Sequence, residues 1–158
     1  MIKDSLKKLK LIHQFMMVSV LIVGVVFFYL NKDKPVFPET EGLEVMMVLP
    51  AFLLMVALSV TPLFVKKSLK NPNANSSTLN DKMNTYLVIH MSRVSFFEMA
   101  GIASGVISFI TESTINLLII AVVLFILFTL RPTTFRIANE LNLSKEEEEQ
   151  LKALDQEN

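Results

Sequence analysis

Three ionisable side chains interrupt the apolar stretch "HMSRVSFFEMAGIASG", residues 90–105: His90, Arg93 and Glu98. A carboxyl group exchanges a proton or holds a cation, an imidazole donates or accepts a hydrogen bond, and a guanidinium grips an anion through a fixed fork of donors. Such groups are costly within an apolar helix, so they mark places where a partner, water or a function offsets the cost. The candidate site for a proton or an ion is therefore Glu98, with Arg93 and His90. Arg93 and Glu98 stand five apart, whereas neighbours on a helix meet at three or four. Direct pairing along one helix is awkward. The expected partners of Arg93 are helix-end carbonyls, water, lipid phosphate or Glu98 of a neighbouring copy. His90 and His13 are expected as hydrogen-bonded residues near a membrane interface. The structural alternative is that Glu98 and Arg93 only fix helix register.

At 100° per residue, Glu98, Gly105, Gly101, His90, Ser108, Ser104, Tyr86 and Arg93 share one broad face. Val88, Ile89, Phe96, Met99, Val106, Ile107 and Ile110 fall on the opposite side. This is the pattern of a helix that turns its polar and small residues inward and its bulky ones to lipid. Gly101-x-x-x-Gly105, continued by Ser104 and Ser108, predicts close helix packing and self-association through this segment.

The elements that must hold these residues are membrane spans. Crossing about 30 Å of hydrocarbon takes about 20 apolar residues. Hydrophobic residues make up 52% of the 158-residue chain, and the mean hydropathy is +0.50. Four apolar runs stand out, at 11–30, 45–65, 86–110 and 115–130. They predict an all-α, polytopic protein of four transmembrane helices (residues 1–130) with a helical tail (131–158). The first run is too long for the apolar part of a cleaved signal peptide and lacks a small-x-small site, so it is expected to stay. Pro50 and Pro62 predict a kink in the second span.

Lysine and arginine set the orientation. Lys3, Lys7, Lys8 and Lys10 precede the first span. Lys66, Lys67, Lys70 and Lys82 lie between the second and third, and Arg131, Arg136, Lys145 and Lys152 follow the fourth. The first loop has only Lys32 and Lys34 among its acids Glu39, Glu41 and Glu44. Both termini and the middle loop are expected to be cytoplasmic, in the cell (inner) membrane. In the tail, Thr133 or Thr134 is expected to cap a helix through Leu141. Ser144 and Glu147 form a capping-box pair that starts a second helix.

Other chemistry is excluded by type. The chain has no cysteine and a formal net charge of zero, which leaves no thiolate site and no global field for nucleic acid. Met16, Met17, Met46, Met47, Met55, Met91 and Met99 lack ordered spacing with histidine, so they are expected to fill apolar space rather than bind copper. No phosphate-binding loop, metalloprotease motif or nucleophile elbow occurs. The expectation is a non-enzyme without a cofactor or metal. Its partners are the lipid bilayer and a second copy or another membrane protein. Its role is that of an interaction or accessory subunit, the alternative being a proton- or cation-handling unit using Glu98.

Spans two and three resemble the hairpin of the ring-forming proteolipid subunit of rotary ATPases. The residues concerned are Asn71-Pro72 in the polar loop, Glu98 in mid-span and the small residues of "EMAGIASGVISF". The resemblance implies a carboxylate at Glu98 that takes and releases a proton or sodium ion. The chain departs from that family in "LPAFLLMVALSVTPLF", which has no glycine, and in carrying Arg93.

Overall fold

A computed structural model of the chain describes residues 2–37, 42, 44–69 and 78–156. The Asn71-Pro72 turn and the loop acids Glu39 and Glu41 lie outside the described residues. Six helices follow one another, with no strand among the described residues: α1 (Ile2–Asn31), α2 (Glu44–Leu69), α3 (Leu79–Ile110), α4 (Leu117–Thr129), α5 (Thr134–Leu141) and α6 (Lys145–Gln156). The protein is all-α. α1, α2 and α3 are each long and apolar enough to cross a membrane. α4 has 13 residues and meets that measure only together with α5, from which it bends by 78°.

Local chemistry explains the boundaries. Thr78 caps α3 by accepting the Asp81 N–H, and Thr133 caps α5 by accepting the Arg136 N–H at 3.2 Å. Pro132 ends α4, because a proline has no N–H to continue the ladder. α5 stops at Asn142, which takes the left-handed conformation at φ 48°. Ser144 and Glu147 close the capping box in both directions, at 2.9 and 3.3 Å. α2 runs unbroken through Pro50 and Pro62, so the expected kink leaves no interruption in the helix.

α3 is the central element, packed by α1, α2 and α4. One core lies in mid-bundle, where Val20, Ala57, Val94, Phe97, Ala100 and Val123 meet. A second lies at the lysine-rich end, where Leu6 and Leu9 of α1, Met83 and Tyr86 of α3, Ile137 of α5 and Leu151 of α6 close together. These two cores differ in origin. Within a bilayer, helices gain mainly by packing, since lipid is as apolar as leucine. Next to water, burying a leucine or isoleucine stabilises by about 1.5–3 kcal/mol. Large apolar side chains such as Phe15, Phe52, Leu63 and Phe125 face outward on α1, α2 and α4, as a lipid-facing belt would.

Because α3 is packed on several sides, Ile89 and Ile107 are buried rather than turned to lipid as the wheel predicted. Val88, Met99, Val106 and Ile110 do face outward. The opposite end is closed by its loops. The Thr114 and Ile115 N–H groups donate to the Pro35 and Val36 carbonyls at 3.1 Å, and the Ser113 hydroxyl donates to the Val36 carbonyl at 2.5 Å.

Candidate functional site

The three residues singled out by type do not form one site. Arg93 and His90 join a buried polar chain at the lysine-rich end, and Glu98 stands apart, one turn and more along α3. Arg93 donates from Nη1 to both oxygens of Glu140, at 3.0 and 3.2 Å. Glu140 belongs to α5 of the same chain. This carboxylate of the same chain is not among the expected partners of Arg93. The physical reason is that α5 folds back beneath the bundle, so an acid from outside the spans reaches the arginine. Arg136, one helical turn before Glu140, donates to the same carboxylate from Nε at 2.9 Å. Its Nη1 also donates to the Thr129 carbonyl at the exposed end of α4.

The other side of Arg93 meets histidine. Arg93 Nη2 and His90 Nδ1 are 3.0 Å apart, and His90 Nε2 lies 3.1 Å from His13 Nδ1. A guanidinium only donates. His90 Nδ1 must therefore accept, which puts the His90 proton on Nε2 and makes His13 Nδ1 the next acceptor. His13 then carries its proton on Nε2. Both imidazoles are neutral in this arrangement. The Tyr86 ring stacks on His90 at 5.8 Å between centroids. His13 is buried against His90.

This chain of hydrogen bonds is not a proton wire, since the guanidinium at its centre does not give up a proton. What it does is tie α1, α3 and α5 together. Two further ion pairs do the same for α6: Lys82 with Glu147 at 2.7 Å, and Lys10 with Asp155. Burial raises the Glu140 carboxyl, as the largest single effect. The hydrogen bonds and charges of Arg93 and Arg136 together outweigh it and hold the group below its ordinary value. Hydrogen bonds from Lys82 and the Ser144 N–H likewise hold Glu147 down.

Glu98 is half-buried between α1 and α3 and accepts the Ser19 hydroxyl at 2.5 Å. Among the described residues no cation pairs with it. The packing residues occupy an internal contact. A Cβ on Gly105 would stand 2.5 Å from the Phe27 ring and 2.8 Å from Val23, and one on Gly101 would stand 3.0 Å from Val20. All three neighbours belong to α1 of the same chain. Ser104 bonds back to the Ala100 carbonyl at 2.7 Å, and Ser108 donates to the Ser113 carbonyl.

Sequence reasoning missed Glu140, Arg136, Ser19 and the burial of His13. A signal existed for two of them. Arg136 and Glu140 are four apart on a short capped helix, and such a pair marks one face of it. No protein-family model, curated protein or solved structure matches this chain.

Proposed function

We propose that the chain is a four-span protein of the cytoplasmic (inner) membrane, with both termini inside, that works as an interaction or accessory subunit. Twelve lysines and arginines on one side of the spans against two on the other support the orientation. α4 and its flanking residues 115–130 make the fourth span, and α5 turns along the cytoplasmic surface.

One observation carries the role. The tail is fixed: Arg93–Glu140, Lys82–Glu147 and Lys10–Asp155 bind α5 and α6 to α3 and α1. A tail held by buried charge and an apolar core is a rigid platform, and on it the Phe135 side chain is 73% exposed. An aromatic ring presented on a fixed surface is an anchor of the kind that dominates protein interfaces. A second copy is one partner in this reading. It would not meet the small-residue face of α3, which α1 fills. Blue-native electrophoresis of membranes extracted in mild detergent tests the role. A band larger than one chain, shifted to a smaller size by Phe135→Asp, supports it. Migration of the wild-type protein as a single chain overturns it.

A second reading has its own observation. Glu98 is a half-buried carboxyl in mid-span with a hydroxyl partner from another helix, which suits exchange of a proton or cation. Glu98→Gln keeps the shape and hydrogen bonding but cannot ionise. A stable variant that loses ion flux in liposomes favours this reading, and a stable variant with unchanged flux removes it.

A further inference from the structure

A groove of about 520 Å³ opens between α2, α3, α4 and α5. This lies within the range of roughly 300–1,000 Å³ seen for small-molecule sites. Its wall is apolar where Leu58 and Pro62 of α2 face Phe97 of α3 and Ile126 and Leu130 of α4. Its rim is cationic. Lys66, Arg93 and Arg136 surround it, with Glu140 the single acid.

Two residues of its lining each bury a polar atom that has no hydrogen-bond partner: Arg93 its Nε and Thr61 its Oγ1. Arg93 is only 5% exposed and Thr61 only 4%. A buried donor left unmade is costly, and both residues border the same groove. Pro62 adds to the polarity, because it lacks the N–H that the Leu58 carbonyl would otherwise accept. Lys66 has no ion-pair partner among the described residues. The eight helical steps from Leu58 to Lys66 span about 12 Å, so the cationic rim sits above an apolar slot of some depth.

The geometry points to a binding site for one anionic phospholipid of the cytoplasmic leaflet. The phosphate sits between Lys66 and Arg136, at the end of the groove lined by Arg93 and Thr61, and an acyl chain lies against Phe97, Ile126 and Leu58. The rim carries three positive groups to one negative, so a zwitterionic lipid with the same chains leaves it uncompensated. The assignment rests on the reading that the chain spans the membrane with its lysine-rich end inside.

Native mass spectrometry of the full chain tests it, with dioleoyl phosphatidylglycerol and dioleoyl phosphatidylcholine as probes and glycerol phosphate as the chain-free competitor. Resistance of the protein to carbonate extraction from its membrane checks membrane insertion separately. The expected result is one retained phosphatidylglycerol, with phosphatidylcholine held at least tenfold more weakly and no competition from glycerol phosphate. The exposed Lys66→Gln should weaken the anionic lipid about fivefold, as one basic residue near an anionic surface does. Leu58→Trp, which narrows the slot, should weaken both lipids. Equal retention of the two lipids, or anionic-lipid binding unchanged in both variants, overturns the site. So does displacement by glycerol phosphate, which would indicate a site for free phosphate. The variants' unfolding temperatures without lipid should match the wild type; if Leu58→Trp unfolds early, Lys66→Gln decides.

Discussion

Arg93 meets its charge partner across 47 residues of sequence, and the energetics of that pair set what its variants do. Removing one member of a buried pair leaves the other uncompensated, at about 3–5 kcal/mol. Arg93→Ala and Glu140→Ala should each destabilise the protein by about that amount in detergent unfolding. Glu140→Ala should sit at the high end, because it strands the Nη1 donor of a nearly inaccessible guanidinium. Replacing both, with Arg93→Met and Glu140→Leu, should recover most of the loss, and strictly additive effects would show that the pair is not coupled. The acids also predict a pH dependence. Glu140 and Glu147 are both held below their ordinary value of about 4.5. A depressed carboxyl contributes stability above the unfolded value, and that stability is lost as pH falls through the folded one. The tail should therefore stay docked at neutral pH and loosen only below about 4.5, as read by limited proteolysis of α6. Glu147→Gln should loosen it already at pH 7 and reduce the dependence. At this scale the sequence was legible in types but not in partners. It marked His90, Arg93 and Glu98 as unusual. The spans offer Arg93 no acid at helix-neighbour spacing, whereas α5 delivers one from outside them.

Helices α1 and α3 approach closely because Gly101 and Gly105 have no side chain to separate them. Phe27 also packs against Phe109 of α3, with ring centroids 6.0 Å apart, so a new methyl group at Gly105 displaces a ring that already has a neighbour. Gly105→Ala should destabilise by about 1–3 kcal/mol as an overpacked contact does. Gly101→Ala should cost less, because the nearest atom, on Val20, stands at 3.0 Å. Thermal unfolding in detergent checks the order, and a Gly105→Ala protein as stable as wild type would show that the helices part easily. Element existence was readable from hydropathy alone, since all four apolar runs are helices. Their ends were not. The first span, expected at 11–30, is part of a helix from Ile2 to Asn31. The third, expected at 86–110, is part of a helix from Leu79 to Ile110. Hydropathy sees only the part that lipid would cover, and helices continue through the polar residues beyond it. The two tail helices were legible for a different reason. Thr133, Ser144 and Glu147 are capping residues, and capping is local chemistry that sequence carries in full.

At the scale of the whole molecule, the lysine and arginine distribution, the outward apolar belt and the docked tail form one account. The proposed four-span topology predicts which sites face which side. The chain has no cysteine, so a single introduced thiol reports cleanly. Lys34→Cys should react in intact cells with a membrane-impermeant maleimide, and Ser76→Cys should react only after permeabilisation. Labelling of Ser76→Cys in intact cells would reverse the orientation. Tail docking depends on apolar burial as well as charge. Leu151→Ala should cost about 2–5 kcal/mol and expose α6 to protease while leaving the spans inserted. In the proposed role, this fixed platform meets another protein at the inner surface of the membrane. This is tested most directly by photo-crosslinking in living cells, with a photoreactive residue placed at Phe135 on α5 or at Phe125 on the outer face of α4. The account predicts a discrete protein adduct from position 135, lost when Leu151→Ala undocks the tail, and lipid adducts from position 125. No protein adduct from position 135 at native expression, or an equal one from the undocked variant, would contradict it.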